Sequence, residues 1–240
     1  MRIAYELFYK AVRAYFLRTS HIALPDEGED AVIFIANHEQ SFGPVTAMAS
    51  LPKPVYPWVA HEITDRALCP GYIEEDFVRP EVRLRPPLST LLARAIGRIC
   101  VALMRDLKAI PVYKQSRRVA DTIRISVQYI AQGRRLLIFP EIKGARWNEI
   151  LCEFDTGFVG VARKLFEKTR RIAAFFPVAV NRRLRSLRLG APVFFDPSRS
   201  YHAERDRIRD ELKRRICALY REMEGEVGAP EEDRISLPQM

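Results

Sequence analysis

Apolar positions change their spacing several times along the chain, and each change marks an element. Residues 31–36 (AVIFIA) form a continuous β-rich apolar run, the signature of a strand buried on both faces, and it stops at Asn37-His38. Residues 54–60 predict a second strand, which Pro54 and Pro57 assign to a sheet edge or to irregular pairing. Residues 69–87 carry five proline or glycine positions among mixed charges and read as an ordered excursion or lid rather than a regular element. Helical recurrence returns over 88–104, and 109–113 is a short strand. Val119, Ile123, Val127 and Ile130 form one stripe closed by Gly133, so 117–132 is a helix, and strand 135–139 ends at Pro140-Glu141. Helix 158–168, strand 172–180 and a further β segment across 186–195 continue the alternation. A last amphipathic helix spans 201–224, and 225–240 reads as a frayed tail. Strand-helix-strand alternation of this kind predicts an α/β domain over 1–224, with a mixed, largely parallel sheet flanked by helices.

The first 18 residues place Ile3, Leu7, Phe8, Ala11, Val12, Tyr15 and Phe16 at helical spacing with cations between them. This suits an N-terminal amphipathic helix lying in a membrane interface, and equally a first helix packed on its own domain. Cations interrupt the segment and no small-residue cleavage site follows, so it does not read as a secretory signal. No run approaches the roughly 18–20 apolar residues of a membrane-spanning helix.

At 240 residues, with 48% hydrophobic and 29% charged residues, the composition is that of a folded globular chain. Thirty-nine basic against 30 acidic side chains leave a formal charge of +9, which directs attention to phosphate groups, anionic lipid surfaces or nucleic acid. No zinc-finger spacing or aromatic RNA-binding signature supports the last, and no nucleic-acid partner is expected. Cys69, Cys100, Cys152 and Cys217 lie far apart, which reads as reduced thiols of a cytoplasmic protein rather than a disulfide framework or a metal site.

In an open α/β sheet, ligands gather beyond the carboxyl ends of the strands. Here three such ends carry polar signatures: Asn37-His38-Glu39-Gln40-Ser41-Phe42-Gly43-Pro44, Ile110-Pro111-Val112-Tyr113-Lys114 and Phe139-Pro140-Glu141. A fourth apolar strand contains Phe176-Pro177-Val178-Ala179-Val180, and Phe154-Asp155-Thr156-Gly157 opens the helix before it. In order and local context these resemble the four sequence blocks of the lysophospholipid and glycerolipid acyltransferase family, of the 1-acylglycerol-3-phosphate acyltransferase type. Only their conjunction is specific. Three departures stand out: Gly43 occupies the position of the family's aspartate, Lys114 that of an arginine, and Glu141-Ile142-Lys143-Gly144-Ala145-Arg146 replaces the block with Gly-Thr-Arg.

The resemblance implies a glycerolipid acyltransferase-like fold and transfer of a fatty acyl group from acyl-CoA or acyl-carrier protein to a lipid hydroxyl, without cofactor or metal. His38 would be the general base, since an imidazole titrates near neutrality and can accept a proton and return it to the leaving thiolate. Asn37, Lys114, Arg117, Glu141, Lys143, Arg146, Thr156 and Gly157 would bind substrate, with Lys114, Arg117 and Arg118 near a helix start forming a phosphate cradle. Glu39, Glu62 and Asp65 are the candidate substitutes for the absent aspartate. Arg182, Arg183, Arg185 and Arg188 read as a solvated or membrane-facing cluster. The implied setting is peripheral, on the inner face of an anionic membrane. The alternative reading is a catalytically impaired relative that binds lipid or regulates a partner.

Overall fold

The computed structural model describes residues 19–21, 31–52, 54–113 and 117–228. The expected N-terminal helix over residues 1–18 and Lys114 lie outside them, as do residues 229–240 of the expected tail. The strands are β1 (Thr19–His21), β2 (Val32–Ala36), β3 (Val55–Ala60), β4 (Ile110–Val112), β5 (Arg135–Ile138), β6 (Glu141–Arg146), β7 (Cys152–Phe154), β8 (Ala174–Asn181), β9 (Ser186–Leu189) and β10 (Val193–Phe194). The helices are α1 (Phe42–Ser50), α2 (His61–Thr64), α3 (Cys69–Ile73), a π-helical segment Glu74–Val82, α4 (Leu88–Asp106), α5 (Val119–Ala131), α6 (Val159–Thr169) and α7 (Tyr201–Gly228).

Eight strands form one mixed, largely parallel sheet in the order β1-β9-β8-β2-β5-β3-β4, with β10 also on β8. β2 lies at its centre, parallel to both β5 and β8, and the alternation of its side chains explains its unbroken apolar run. Ile33 and Ile35 enter the core shared with α5, α6 and α7, whereas Val32, Phe34 and Ala36 enter a second core with Phe42 and Ala47 of α1. Helices thus cover both faces, which is the α/β arrangement expected from the alternation.

Several elements depart from expectation. β3 is an interior strand, so of the edge and the irregular pairing that its prolines allowed, the edge is excluded. Its partners are β5 along Val55–Pro57 and β4 along Trp58–Ala60, so the proline without an amide hydrogen sits where pairing passes from one neighbour to the other. The proline-rich excursion is helical: Pro70 occupies the first turn of α3, where a missing N–H costs nothing, and Pro80 lies within the π-helical segment. This excursion packs Cys69, Ile73 and Val78 on Ala93 and Val101 of α4 in a satellite core. Buried Glu74 ties it down, accepting hydrogen bonds from Ser89 (2.7 Å), Thr90 (3.1 Å) and Arg79 (2.9 Å). α1 was hidden by its Gly, Pro, Thr and Ser content, all weak helix formers. The last helix runs on to Gly228, so residues 225–228 are helix and not tail.

The arginines of the β8–β9 hairpin are also not a bare basic surface. Arg183 pairs with Glu224 at 3.2 Å, Arg188 pairs with Glu222 and Glu226, and Arg182 donates to the side chain of Gln40. Helix α7 thus supplies carboxylates to two of these arginines, Arg183 and Arg188.

Among the described residues no helix is long and apolar enough to cross a membrane, and no His, Cys, Asp and Glu grouping could hold a metal ion. All four cysteines are free thiols; Cys69 and Cys217 are buried, Cys100 and Cys152 half-buried. Burial pushes the Cys69 thiol up to about 11.

Candidate functional site

Because β2, β3, β4, β5 and β8 run parallel, their carboxyl ends meet along one edge of the sheet. His38 follows β2 there, Glu141 follows β5, His61 follows β3 and Tyr113 follows β4. The strand order separates them unequally. β2 and β5 are neighbours, while β4 stands three strand spacings from β2, about 14 Å at the usual interstrand distance.

Asn37 fixes the end of β2. Its side chain, 1% exposed, donates from Nδ2 to the Val180 carbonyl (2.8 Å) and accepts at Oδ1 from the Val180 N–H (2.7 Å), extending the β2–β8 ladder by one side-chain pair. Asn37 therefore shapes the His38 turn from behind instead of facing a ligand. Asn37→Ala is expected to lower unfolding stability by about 2 kcal/mol or more, since both Val180 groups would remain buried without partners. Chemical denaturation measures this.

Beyond Asn37 the backbone turns tightly. Glu39 and Gln40 both adopt left-handed φ values, 43° and 56°, and the Gly43 N–H donates to the His38 carbonyl at 3.1 Å. A Cβ on Gly43 would lie 2.1 Å from that carbonyl oxygen. The absent aspartate is thus a geometric requirement: this turn has no room for any side chain at position 43.

Four neighbours hold the turn. Glu141 receives the His38 N–H on one carboxylate oxygen (2.8 Å) and the Cys152 N–H on the other (3.0 Å), clamping β2 to the ribbon β6–β7. The ribbon is itself anchored by Lys213 of α7, which is buried, pairs with Glu153 at 2.7 Å and lies over the Trp147 ring. Ser41 donates to Glu81 of the π-helical segment at 2.9 Å. Arg182 reaches Gln40, and Tyr220 of α7 hydrogen-bonds Glu39. Burial raises the Glu39 carboxyl despite that bond, and burial with the Glu39 charge pushes the Tyr220 hydroxyl up to about 12.

The His38 ring packs edge-on to Phe139 at 5.3 Å. One side of the residue is open to solvent while protein crowds the others, and desolvation holds its pKa below the ordinary imidazole value. A hydrogen bond with the backbone of Gln40, then the charges of Glu141, Asp76 and Glu81, act in the opposite direction and do not overcome burial. The balance favours the neutral imidazole. Among the described residues no carboxylate oxygen lies within 4.0 Å of its ring nitrogens. The Gln40 backbone takes the place a carboxylate would hold.

The expected substitutes do other work. Glu39 is on Tyr220, Glu62 pairs with His61 at 3.1 Å, and Asp65 accepts the N–H groups of Ala67 and Leu68. Asp76 and Glu81 are the acidic groups that the sequence concealed, because they reach His38 only when the excursion folds back. Burial raises Asp76, but hydrogen bonds from Lys143 and Tyr72 outweigh it and leave the carboxylate below its ordinary value.

Of the expected binding residues, Glu141 and Lys143 join the His38 neighbourhood, Lys143 through an ion pair with Asp76 at 2.6 Å. Arg146 is exposed at the far end of β6. Thr156 and Gly157 precede α6 beside the same loop, where Asp155 donates its N–H to the Pro140 carbonyl (2.8 Å) and accepts the Gly157 N–H on its side chain (2.8 Å). Arg117 is exposed near the start of α5, across the edge from His38. Its neighbour Arg118 stacks on Tyr113 at 3.7 Å, and Tyr113 stacks in turn on His61. Compared with models of protein families the chain matches none, and no curated protein matches it.

Proposed function

We propose that this protein is a glycerolipid acyltransferase-like enzyme that moves a fatty acyl group from acyl-CoA or acyl-carrier protein to the hydroxyl of a lysophosphatidic-acid-like lipid at an anionic membrane surface. The observation that carries the reading is the convergence of His38 and Glu141 at the ends of adjacent parallel strands, with Thr156-Gly157 beside them, which is how the sequence blocks would have to assemble.

His38 takes the proton of the acceptor hydroxyl, and the freed oxygen attacks the thioester carbonyl. As the tetrahedral intermediate collapses, the carbon–sulfur bond breaks and the imidazolium returns its proton to the thiolate. Burial supplies a neutral base, and the Gln40 backbone fixes the ring. Glu141 holds the turn in place through backbone N–H groups. Lys143 and Arg146 on the ribbon, and Arg117 farther along the edge, offer cations to phosphate on an extended substrate.

A second reading keeps the fold and removes the catalysis, leaving a lipid-binding relative; that no carboxylate among the described residues lies on the His38 ring favours it. Acyl-CoA thiol release with lysolipid acceptors separates the two. The enzyme reading expects kcat/KM to rise with pH with its acid inflection below about 6.5, the ordinary imidazole value, because the His38 pKa is lowered. An inflection at or above that value would assign the base elsewhere. The sign for stability is the same. The unfolded chain binds this proton first as pH falls, so the folded state loses stability from the ordinary value down through the lowered one.

A further inference from the structure

We infer that the outer face of α4, with the arginine clefts along its flank, is the surface by which this protein docks on an anionic phospholipid bilayer. At 100° per residue Leu88, Leu91, Ala95 and Ile99 fall on one stripe of α4. That stripe points away from the satellite core formed by Ala93, Gly97 and Val101. Leu88, Leu91 and Ile99 are 61%, 59% and 69% exposed, so the helix presents three large apolar side chains to solvent. Arg94, Arg98 and Arg105 occupy the adjoining edge of the same helix, between stripe and core.

These arginines line two clefts that share Arg66 and Val101. One, of about 470 Å³, is bounded by Arg66, Arg94 and Arg98 over a floor where Gly97 lets Pro70 approach; an added Cβ there would meet the Pro70 nitrogen at 3.3 Å. The other, of about 500 Å³, continues through Arg66 and Val101 to Arg105 and Lys108. Among the described residues none of these five cations has a carboxylate within 4.0 Å, in contrast to Arg183 and Arg188 of the hairpin, which pair with glutamates of α7. Apolar side chains beside unpaired arginines match a bilayer interface: the leucines enter the acyl boundary and the guanidinium groups meet headgroup phosphates. α4 is joined through Glu74 to the π-helical segment whose Glu81 holds the His38 turn, so one helical layer separates this surface from the catalytic turn. The inference rests on the acyltransferase reading for its choice of phospholipid over an acidic protein.

The test reads binding without turnover, so failure of catalysis and failure of docking are distinguishable. The full chain is sedimented with phosphatidylcholine vesicles, alone and mixed with phosphatidylglycerol. Wild type is expected to pellet with the mixed vesicles. Leu91→Asp and Ile99→Asp should each weaken partitioning about tenfold, and Arg94→Glu and Arg98→Glu about fivefold each at low salt. All four positions are exposed, and unchanged thermal melts check folding. Ile99→Trp should shift its emission to the blue on adding mixed vesicles. Partitioning unchanged in the Leu91→Asp/Ile99→Asp variant would overturn the proposal. So would arginine-dependent binding to an acidic acyl-carrier protein in place of vesicles, or a lipid-independent dimer abolished by the same aspartates.

Discussion

Replacing His38 with alanine is expected to lower acyl transfer by about 10²–10⁴-fold, the range general-base catalysis contributes, while leaving the fold intact. The ring contributes little to packing, since its residue is exposed and its main contact is the edge of Phe139. The clamp that shapes the turn uses the His38 backbone N–H on Glu141, which alanine retains. Thiol release from acyl-CoA in the presence of a lysolipid reads the loss, and an unchanged melting profile shows that chemistry rather than structure was removed. Equal rates for His38→Ala and wild type would dismiss His38 as base and leave the lipid-binding reading.

Gly43→Ala should destabilise the protein by about 3 kcal/mol or more, at the severe end for a single substitution. The obstruction is backbone: the new methyl would lie 2.1 Å from the His38 carbonyl oxygen and 2.8 Å from that of Asn37. Relief requires opening the turn that left-handed Glu39 and Gln40 already strain. The denaturation midpoint measures the effect, and a shift below about 0.5 kcal/mol would mean that the turn is not built this way. Gly43→Asp, which would introduce the aspartate of the acyltransferase sequence blocks, should be at least as damaging and should not create a dyad. Here the backbone at Gln40, with Asp76 and Glu81 nearby, does the work of orienting and balancing the imidazole.

What could be read in advance depended on how far apart the cooperating residues are. The unbroken run in β2 and the stripe in α5 carry their burial within a few neighbours, because side-chain alternation in a strand and the turn of a helix are local periodicities. Pro80, read as part of an irregular excursion, misled for the opposite reason, and Pro57 left an edge or an irregular pairing open. A proline's cost depends on whether its missing N–H falls where a bond was needed, and that is set by β3 changing partners and by the π-helical turn. Arg183 and Arg188 of the hairpin looked like open charge until α7 supplied Glu222, Glu224 and Glu226.

The sequence alone determined the alternation of strands and helices, the mixed, largely parallel sheet and the identity of His38 and Glu141 as residues at strand ends, because hydrophobic spacing and turn chemistry act over a few residues. Tertiary structure alone decided what surrounds that imidazole. Asp76 lies 38 positions from it and Glu141 103, and only the closing of the π-helical excursion and the β6–β7 ribbon over the sheet edge brings such charges within range. It also decided that α4 turns leucines outward beside unpaired arginines, since an amphipathic pattern specifies a face but not what covers it.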